Sequence, residues 1–162
     1  MLNPSKIKDY HGVAKLILKQ EFLHEVRWDI LPLIEDHSVE VEDKNTVDPD
    51  WETYKDLENN GALRIFTCRD GKKLVGYAVF VVTTGLNDLT QLYAQNIVLF
   101  LDKEYRKGLM GLKLIKFAEK CLMEDGVHSM SISVRNTVPF DPLLKRNGYE
   151  PLERVWTKKV GS

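Results

Sequence analysis

Hydrophobic positions change period along the chain, and each change marks an element. From Ile7 to Val26, the apolar residues Ile7, Val13, Ala14, Leu16, Ile17, Leu18, Phe22, Leu23 and Val26 recur at helical spacing, with Lys8, Lys15, Lys19 and Glu25 between them. Spacings of three and four collect one apolar stripe, so this stretch is predicted to be an amphipathic helix. Ser5 would cap it, and Gly12 would weaken its first turns by about 1 kcal/mol relative to alanine. The run from Glu35 to Glu52 holds eight carboxylates and one lysine and is predicted to be a solvated loop. Asp48-Pro49-Asp50 then reads as a helix start. Trp51, Tyr54 and Leu57 share one face of that short helix, and Asn59-Asn60-Gly61 ends it.

From Ala62 the period shortens to two. Leu63, Ile65 and Thr67 alternate with Arg64, Phe66 and Cys68, and Arg69-Asp70-Gly71-Lys72 turns the chain into Leu74–Val82, which predicts a β-hairpin. Leu92–Leu101 is predicted to be a further strand, central because Ile97, Val98, Leu99 and Phe100 are apolar on both faces. Leu109–Met123 carries the strongest helical pattern, with Leu112, Leu114, Ile115, Ala118, Cys121 and Leu122 on one side. Ser129–Val134 reads as a strand, Phe140–Arg146 as a short helix ended by Asn147-Gly148, and Arg154–Val160 as a last strand. This order predicts an α/β (α+β) architecture: a mixed sheet with flanking helices.

Length and composition narrow the class. With 162 residues, 43% hydrophobic and 29% charged, the chain is predicted to form one globular domain over 1–162. Lys+Arg at 23 nearly balance Asp+Glu at 24, which argues against sequence-independent nucleic-acid binding. No apolar run is long enough to cross a bilayer and Met1–Lys6 has no apolar leader core, so a cytoplasmic protein is expected. The two cysteines, Cys68 and Cys121, form no CxxC pair, and no histidine stands at metal-ligand spacing, so neither zinc nor a disulfide framework is expected. Both cysteines read as small core residues. Trp28, Trp51 and Trp156 are likewise assigned to the core. Among the scattered histidines only His37, within the acidic run, invites a test.

The chemistry concentrates in Asp102–Gly111, which joins the central strand to the strong helix. Glycines in such a turn expose backbone N–H groups at a helix N-terminus, where free amides and the helix dipole favour a pyrophosphate, and Arg106 and Lys107 add cations. Taken alone, an ordinary strand-to-helix connection explains the same residues and is the commoner case.

The stretch Asn96–Phe117 resembles the central motif of GNAT acyltransferases: a strand, a Pro/Asp-x-Glu-Tyr-Arg turn, then Arg/Gln-x-x-Gly-x-Gly/Ala opening a helix. Asn136 after a strand, a short helix, then Asn147-Gly148-Tyr149-Glu150 is similar to the family's ending, so the resemblance spans roughly Ala62 to Glu150. Asp50-Trp51, Gly61-Ala62-Leu63-Arg64 and the Tyr105-Arg106 loop look like the small bacteriophage members. The resemblance implies a GNAT-type fold and a transferase that moves an acetyl group from acetyl-CoA, its co-substrate, to a primary amine of a small molecule or protein. It implies that the main chain of Leu99, Phe100 and Leu101 pairs with the pantetheine arm, and that Arg106, Lys107, Gly108, Leu109, Met110 and Gly111 hold the pyrophosphate. Asn136 would contact the coenzyme from the far side.

Three positions depart from the family pattern. Leu109 stands where the loop's first glycine belongs, with Gly108 one residue earlier. Leu144 stands where a tyrosine commonly protonates the leaving thiolate. One strand instead of two follows the last helix, and the first family strand, near Ser38–Val41, is missing or degraded. Acyl transfer needs a neutral amine, a polarised thioester carbonyl and a route for the proton. Backbone N–H groups at Leu99–Leu101 would serve the carbonyl. The weak candidates for the remaining tasks are Gln95 and Asn96, which orient but are not strong bases, and Glu40 or Glu42 from the acidic run. The alternative is a non-catalytic GNAT-fold factor that binds CoA or a protein partner.

Overall fold

In the computed structural model, which describes residues 5–8, 15–42, 47–135 and 140–161, the alternating stretches pair into one six-stranded sheet. Its strands lie in chain order: β1 (Ser5–Lys8), β2 (Lys15–Glu21), β3 (Leu63–Asp70), β4 (Lys73–Gly85), β5 (Asp88–Leu101) and β6 (Val127–Ser131). Neighbours from β1 to β5 are antiparallel, whereas β6 runs parallel to β5 because a helix separates the two in sequence. The helices are α1 (Leu23–Glu42), α2 (Trp51–Asn59), α3 (Met110–Glu124) and α4 (Asp141–Arg146). No helix among the described residues is long and apolar enough to cross a membrane.

Two cores sit on the two faces of the sheet. On one, Leu23, Val26, Ile30 and Leu33 of α1 pack on Leu63, Ile65, Tyr77, Val79 and Phe100, with Trp51, Tyr54 and Leu57 of α2 at the margin. On the other, Met110, Leu114, Ala118, Cys121 and Leu122 of α3 pack on Leu16, Leu18, Phe66, Val75, Phe80 and Ala94. Strand β4 is therefore apolar on both faces, and its Leu74–Phe80 run is buried throughout. The expected mixed sheet with flanking helices is the architecture the chain builds.

Local signals account for most boundaries. Asp50 caps α2, its carboxylate accepting from the Thr53 amide at 3.0 Å and the Thr53 hydroxyl at 2.6 Å. The helix ends where Gly61 takes φ +72°. Gly71, at φ +59°, closes the β3–β4 hairpin. At the start of α1, the Phe22 and Leu23 amides donate to Glu25 and to Glu58 of α2, both at 2.7 Å, which ties the two helices together.

Four expectations change. Of the helix predicted over Ile7–Val26, residues 9–14, Gly12 among them, lie outside the described residues, and the rest is instead β1, β2 and the beginning of α1. Leu16 and Leu18 are buried while Ile17 between them is only half-buried, so the true period there is two, masked by an apolar residue on the outer face. The acidic run is not all loop: α1 continues through Glu42 despite Pro32, which lacks the N–H that would reach the Trp28 carbonyl. Arg154–Val160 forms no strand; residues 151–161 are exposed and irregular. Finally, Trp28 and Trp156 are not core residues, being 64% and 89% exposed.

Candidate functional site

The parallel β5–β6 ladder begins at Leu92 and Val127 and ends at Gln95 and Ser131, although β5 continues to Leu101. On its other side β5 pairs with β4, and the register shifts there: Val98 opposes Val79, Asn96 opposes Phe80, and Ile97 is the extra residue of a β-bulge, 49% exposed. The bulge reverses which side chains face which core. Ala94 lies against the α3 side, while Val98 and Phe100 lie against the α1 side.

Asn96 holds the point of divergence. Its Oδ1 accepts from the Ser133 amide at 2.6 Å and its Nδ2 donates to the Ser133 carbonyl at 3.4 Å. A side chain thus takes the place of one rung of backbone pairing, which explains why a polar residue only 8% exposed is tolerated. Beyond it, the β5 main chain at Leu99, Phe100 and Leu101 has β4 on one side and no strand on the other among the described residues.

The end of β5 is clamped from below. An alanine Cβ at Gly76 would stand 2.6 Å from Leu101 Cδ1 and 3.1 Å from the Phe100 carbonyl oxygen, so only glycine allows this close approach. The Asp102 amide donates to the Val75 carbonyl at 2.8 Å, and the Tyr105 hydroxyl donates to Asp70 in the β3–β4 turn at 2.8 Å. That hydrogen bond to a carboxylate pushes the Tyr105 pKa up to about 12, so Tyr105 remains a neutral donor.

The loop then enters α3. Gly108 adopts φ +89°, and Leu109 precedes the helix with no side-chain cap and no acidic residue in the first turn. The amides of Met110, Gly111 and Leu112 therefore lack intrahelical acceptors and face the end of the loop with the positive end of the helix dipole. Lys107 is exposed at this turn. Arg106 is committed elsewhere: its Nε donates to the Leu101 carbonyl at 2.6 Å, and its Nη2 donates to Glu40 at 2.9 and 3.1 Å. Its guanidinium lies 5.4 Å from the centre of the Phe100 ring.

Helix α1 thus reaches the site. Glu40 meets Arg106 and also Lys103, at 3.5 Å, at the loop end of β5, while the His37 ring stands 5.1 Å from that of Phe100. Gln95 is exposed on β5 beside Asn96. Asn136 and the Glu42 side chain lie outside the described residues. Leu144 is buried in α4 and offers no proton. Desolvation pushes the Cys68 thiol up to about 12 and the Cys121 thiol up to about 11, which keeps both as inert core residues.

Between α1 and the β3–β4 turn runs a groove of about 370 Å³, lined by Asp29, Asp36 and Asp102 and by Lys72 and Lys73. Charges of both signs give it no electrostatic preference for one class of ligand. Sequence reasoning missed the partners Asp70, Gly76 and Ser133. A glycine inside the Leu74–Val82 run was the one available signal of close backbone approach; the other two contacts link residues 35 and 37 positions apart.

Comparison with known proteins adds the following. The sequence model of the acetyltransferase (GNAT) family matches residues 22–148. No curated protein matches the chain significantly. Among solved structures, an aminoglycoside acetyltransferase from an uncultured soil metagenomic sample, in complex with sisomicin, is similar with TM-score 0.68 at 19% identity, over 89% of this chain and 97% of that one. A ribosomal-protein-alanine N-acetyltransferase from Brucella melitensis biovar Abortus 2308 gives TM-score 0.68 at 15% identity, over 90% and 99% of the two chains. A predicted acetyltransferase with acetyl-CoA from Clostridium acetobutylicum gives TM-score 0.68 at 9% identity, over 90% and 96%. At these identities the likeness establishes the shared fold.

Proposed function

Because the chain belongs to the acetyltransferase (GNAT) family, we propose that it transfers an acetyl group from acetyl-CoA to a primary amine. The observation that carries this reading is the wedge at β5: a ladder that stops at Gln95–Ser131, a main chain left open from Leu99 to Leu101, and a run into the uncapped start of α3. An extended pantetheine arm fits the open edge as an added strand would, and a pyrophosphate fits the free amides from Met110 to Leu112. Arg106, Lys107, Gly108, Leu109, Met110 and Gly111 line that end, and Asn136 completes the set in this reading. Acetyl-CoA supplies the activated thioester.

The chain's own residues then position and polarise. Main-chain amides between Leu99 and Leu101 are placed to stabilise negative charge on a carbonyl oxygen, a contribution that costs no reorganisation because β4 and the Asp102–Val75 bond fix the strand. Asn96 is spent on Ser133 and acts by keeping the strands apart, which leaves Gln95 to orient the amine or a water. Glu40, which is ion-paired with Arg106, and Glu42 are the candidate carboxylates for the base in this reading. Leu144 makes a side-chain acid at the family position impossible, so the proton leaving the amine reaches the thiolate through solvent. The same residue favours the second reading, a GNAT-fold factor that binds CoA or a protein partner without turnover.

The Asp50-Trp51, Gly61–Arg64 and Tyr105-Arg106 features extend the proposal to an enzyme of the small bacteriophage type, and its expected location is the cytoplasm. Thermal melting with acetyl-CoA tests it. At about one hundred times its dissociation constant the ligand adds roughly 2.7 kcal/mol, or about 5–11 °C for a chain of this size. Gly111→Glu, which sets a carboxylate against the pyrophosphate amides, is expected to abolish the shift. An amine panel read by free-thiol release then separates enzyme from binding factor: binding without turnover selects a CoA-binding factor, and no melting shift in the wild-type chain removes the enzyme and leaves a factor that binds a protein partner.

A further inference from the structure

The inward stripe of α1 changes character along its length. Leu23, Val26, Ile30 and Leu33, spaced by three and four, are all buried against the sheet. The same spacing continues to His37 and Glu40, so the helix carries two polar side chains where its pattern calls for apolar ones. Apolar residues turned toward a core need no explanation, but polar ones on the same stripe do. The change falls where α1 meets the end of β5: the His37 ring stands 5.1 Å from that of Phe100, and Glu40 reaches Lys103 and Arg106 just beyond the strand.

The two side chains have different tasks. Both oxygens of Glu40 accept from Arg106, at 2.9 and 3.1 Å, and its side chain is 22% exposed. These bonds spend the lone pairs that a base would offer, and they pin the last turns of α1 to the loop after β5. His37 lies on that pinned stretch, one turn before Glu40, half-buried against Phe100. Phe100 is in turn the middle residue of the main chain that β6 leaves open.

We infer that His37 takes the proton from the acceptor amine, an assignment that rests on the acetyltransferase reading above and prefers this imidazole to Glu40 and Glu42. The acceptor arrives as an ammonium and gives one proton to His37. The freed lone pair attacks the thioester carbonyl carbon, a C–N bond forms, and the C–S bond breaks with its electron pair left on sulfur. The nitrogen's second proton passes through solvent to the thiolate, and the imidazolium releases its own to solvent. Charges of both signs surround His37: Asp36 and Glu40 on α1, and Asp102, Lys103 and Arg106 after β5. Tyr77 of β4 stands 6.3 Å from Phe100, ring to ring; burial pushes its hydroxyl and that of Tyr54 on α2 up, so both stay neutral.

Steady-state kinetics of the full chain, with an amine that it turns over, test this. The acceptor's own ionisation moves wild type and variant alike, so the readout is the ratio of their kcat/KM values. For His37→Gln that ratio is expected to be about 100 at about pH 8 and to shrink toward one below about pH 6, where an ordinary imidazole is already protonated. The melting shift with acetyl-CoA is expected to stay that of the wild type, and Glu40→Gln to keep the wild-type pH dependence. A ratio that does not vary with pH, a pH dependence lost in Glu40→Gln instead, or a wild-type profile without an inflection in the imidazole range would each overturn the assignment. Should His37→Gln fail to fold, the wild-type profile and Glu40→Gln decide. A wild-type chain that turns over no amine overturns the transferase reading and this assignment together, whereas turnover indifferent to His37 overturns the assignment alone.

Discussion

Replacing Arg69 by methionine is expected to remove about 3–5 kcal/mol of stability, the cost of stranding one partner of a buried ion pair. The side chains of Arg69 and Glu21 are only 9% and 4% exposed. Arg69 donates to Glu21 at 2.8 and 3.2 Å, to Asp29 of α1 at 2.8 Å and to the Lys72 carbonyl at 2.8 Å, so methionine keeps the aliphatic stem and deletes every one of these bonds. Burial by itself pushes the Glu21 carboxyl up, but the hydrogen bonds from Arg69, Thr67 and Lys19 outweigh it and hold the carboxyl below its ordinary value. The sign of the pH dependence follows. In the wild-type chain Glu21 contributes stability above its unfolded pKa, and the contribution is lost as pH falls through the lower folded value. In Arg69→Met desolvation has lost its strongest opponent, the folded pKa rises above the unfolded one, and the variant recovers part of its loss on acidification. Urea unfolding followed by tryptophan fluorescence at pH 7 and pH 5 measures both effects, and the midpoint temperature at neutral pH is expected to fall by about 6–20 °C. Adding Glu21→Gln to Arg69→Met is expected to restore more than half of the loss, since it removes the stranded charge. A single-variant loss below about 1 kcal/mol, or a double variant no better than the single, would refute the ion-pair argument.

Two further substitutions address the floor of the wedge. Gly76→Ala is expected to cost about 1–3 kcal/mol by overpacking, because Leu101 Cδ1 can rotate away but the Phe100 carbonyl at 3.1 Å must move with the strand; chemical unfolding with and without acetyl-CoA checks that the ligand-induced gain shrinks together with stability. Tyr105→Phe removes the bond to Asp70 at 2.8 Å and is expected to cost about 1 kcal/mol, with a several-fold weaker acetyl-CoA dissociation constant by calorimetry; an unchanged constant would mean that the Asp102–Val75 and Arg106–Leu101 bonds hold the loop without it.

The parts of this protein that were legible in its sequence are those whose causes are local. Asp50 caps the helix that follows it, Gly71 turns the hairpin, and the apolar stripe of α3 needs no knowledge of what it packs against. The Tyr105–Gly111 loop could be placed for the same reason, since a glycine turn before a helix exposes its amides wherever it occurs. Ile7–Val26 failed because Ile17 hides the alternation of Leu16 and Leu18, and only the Leu18–Cys68 and Leu16–Asp70 pairings with β3 select a strand. The acidic run failed for a related reason: charge predicts solvent, but Glu40 is fixed by Lys103 and Arg106, more than sixty positions away. The last stretch was misread in the opposite direction. Val155, Trp156 and Val160 state a strand locally, yet a strand is a relation between two segments, and the chain's own fold leaves these three exposed. Local pattern therefore specifies what a segment can become, and long-range partners decide what it does become.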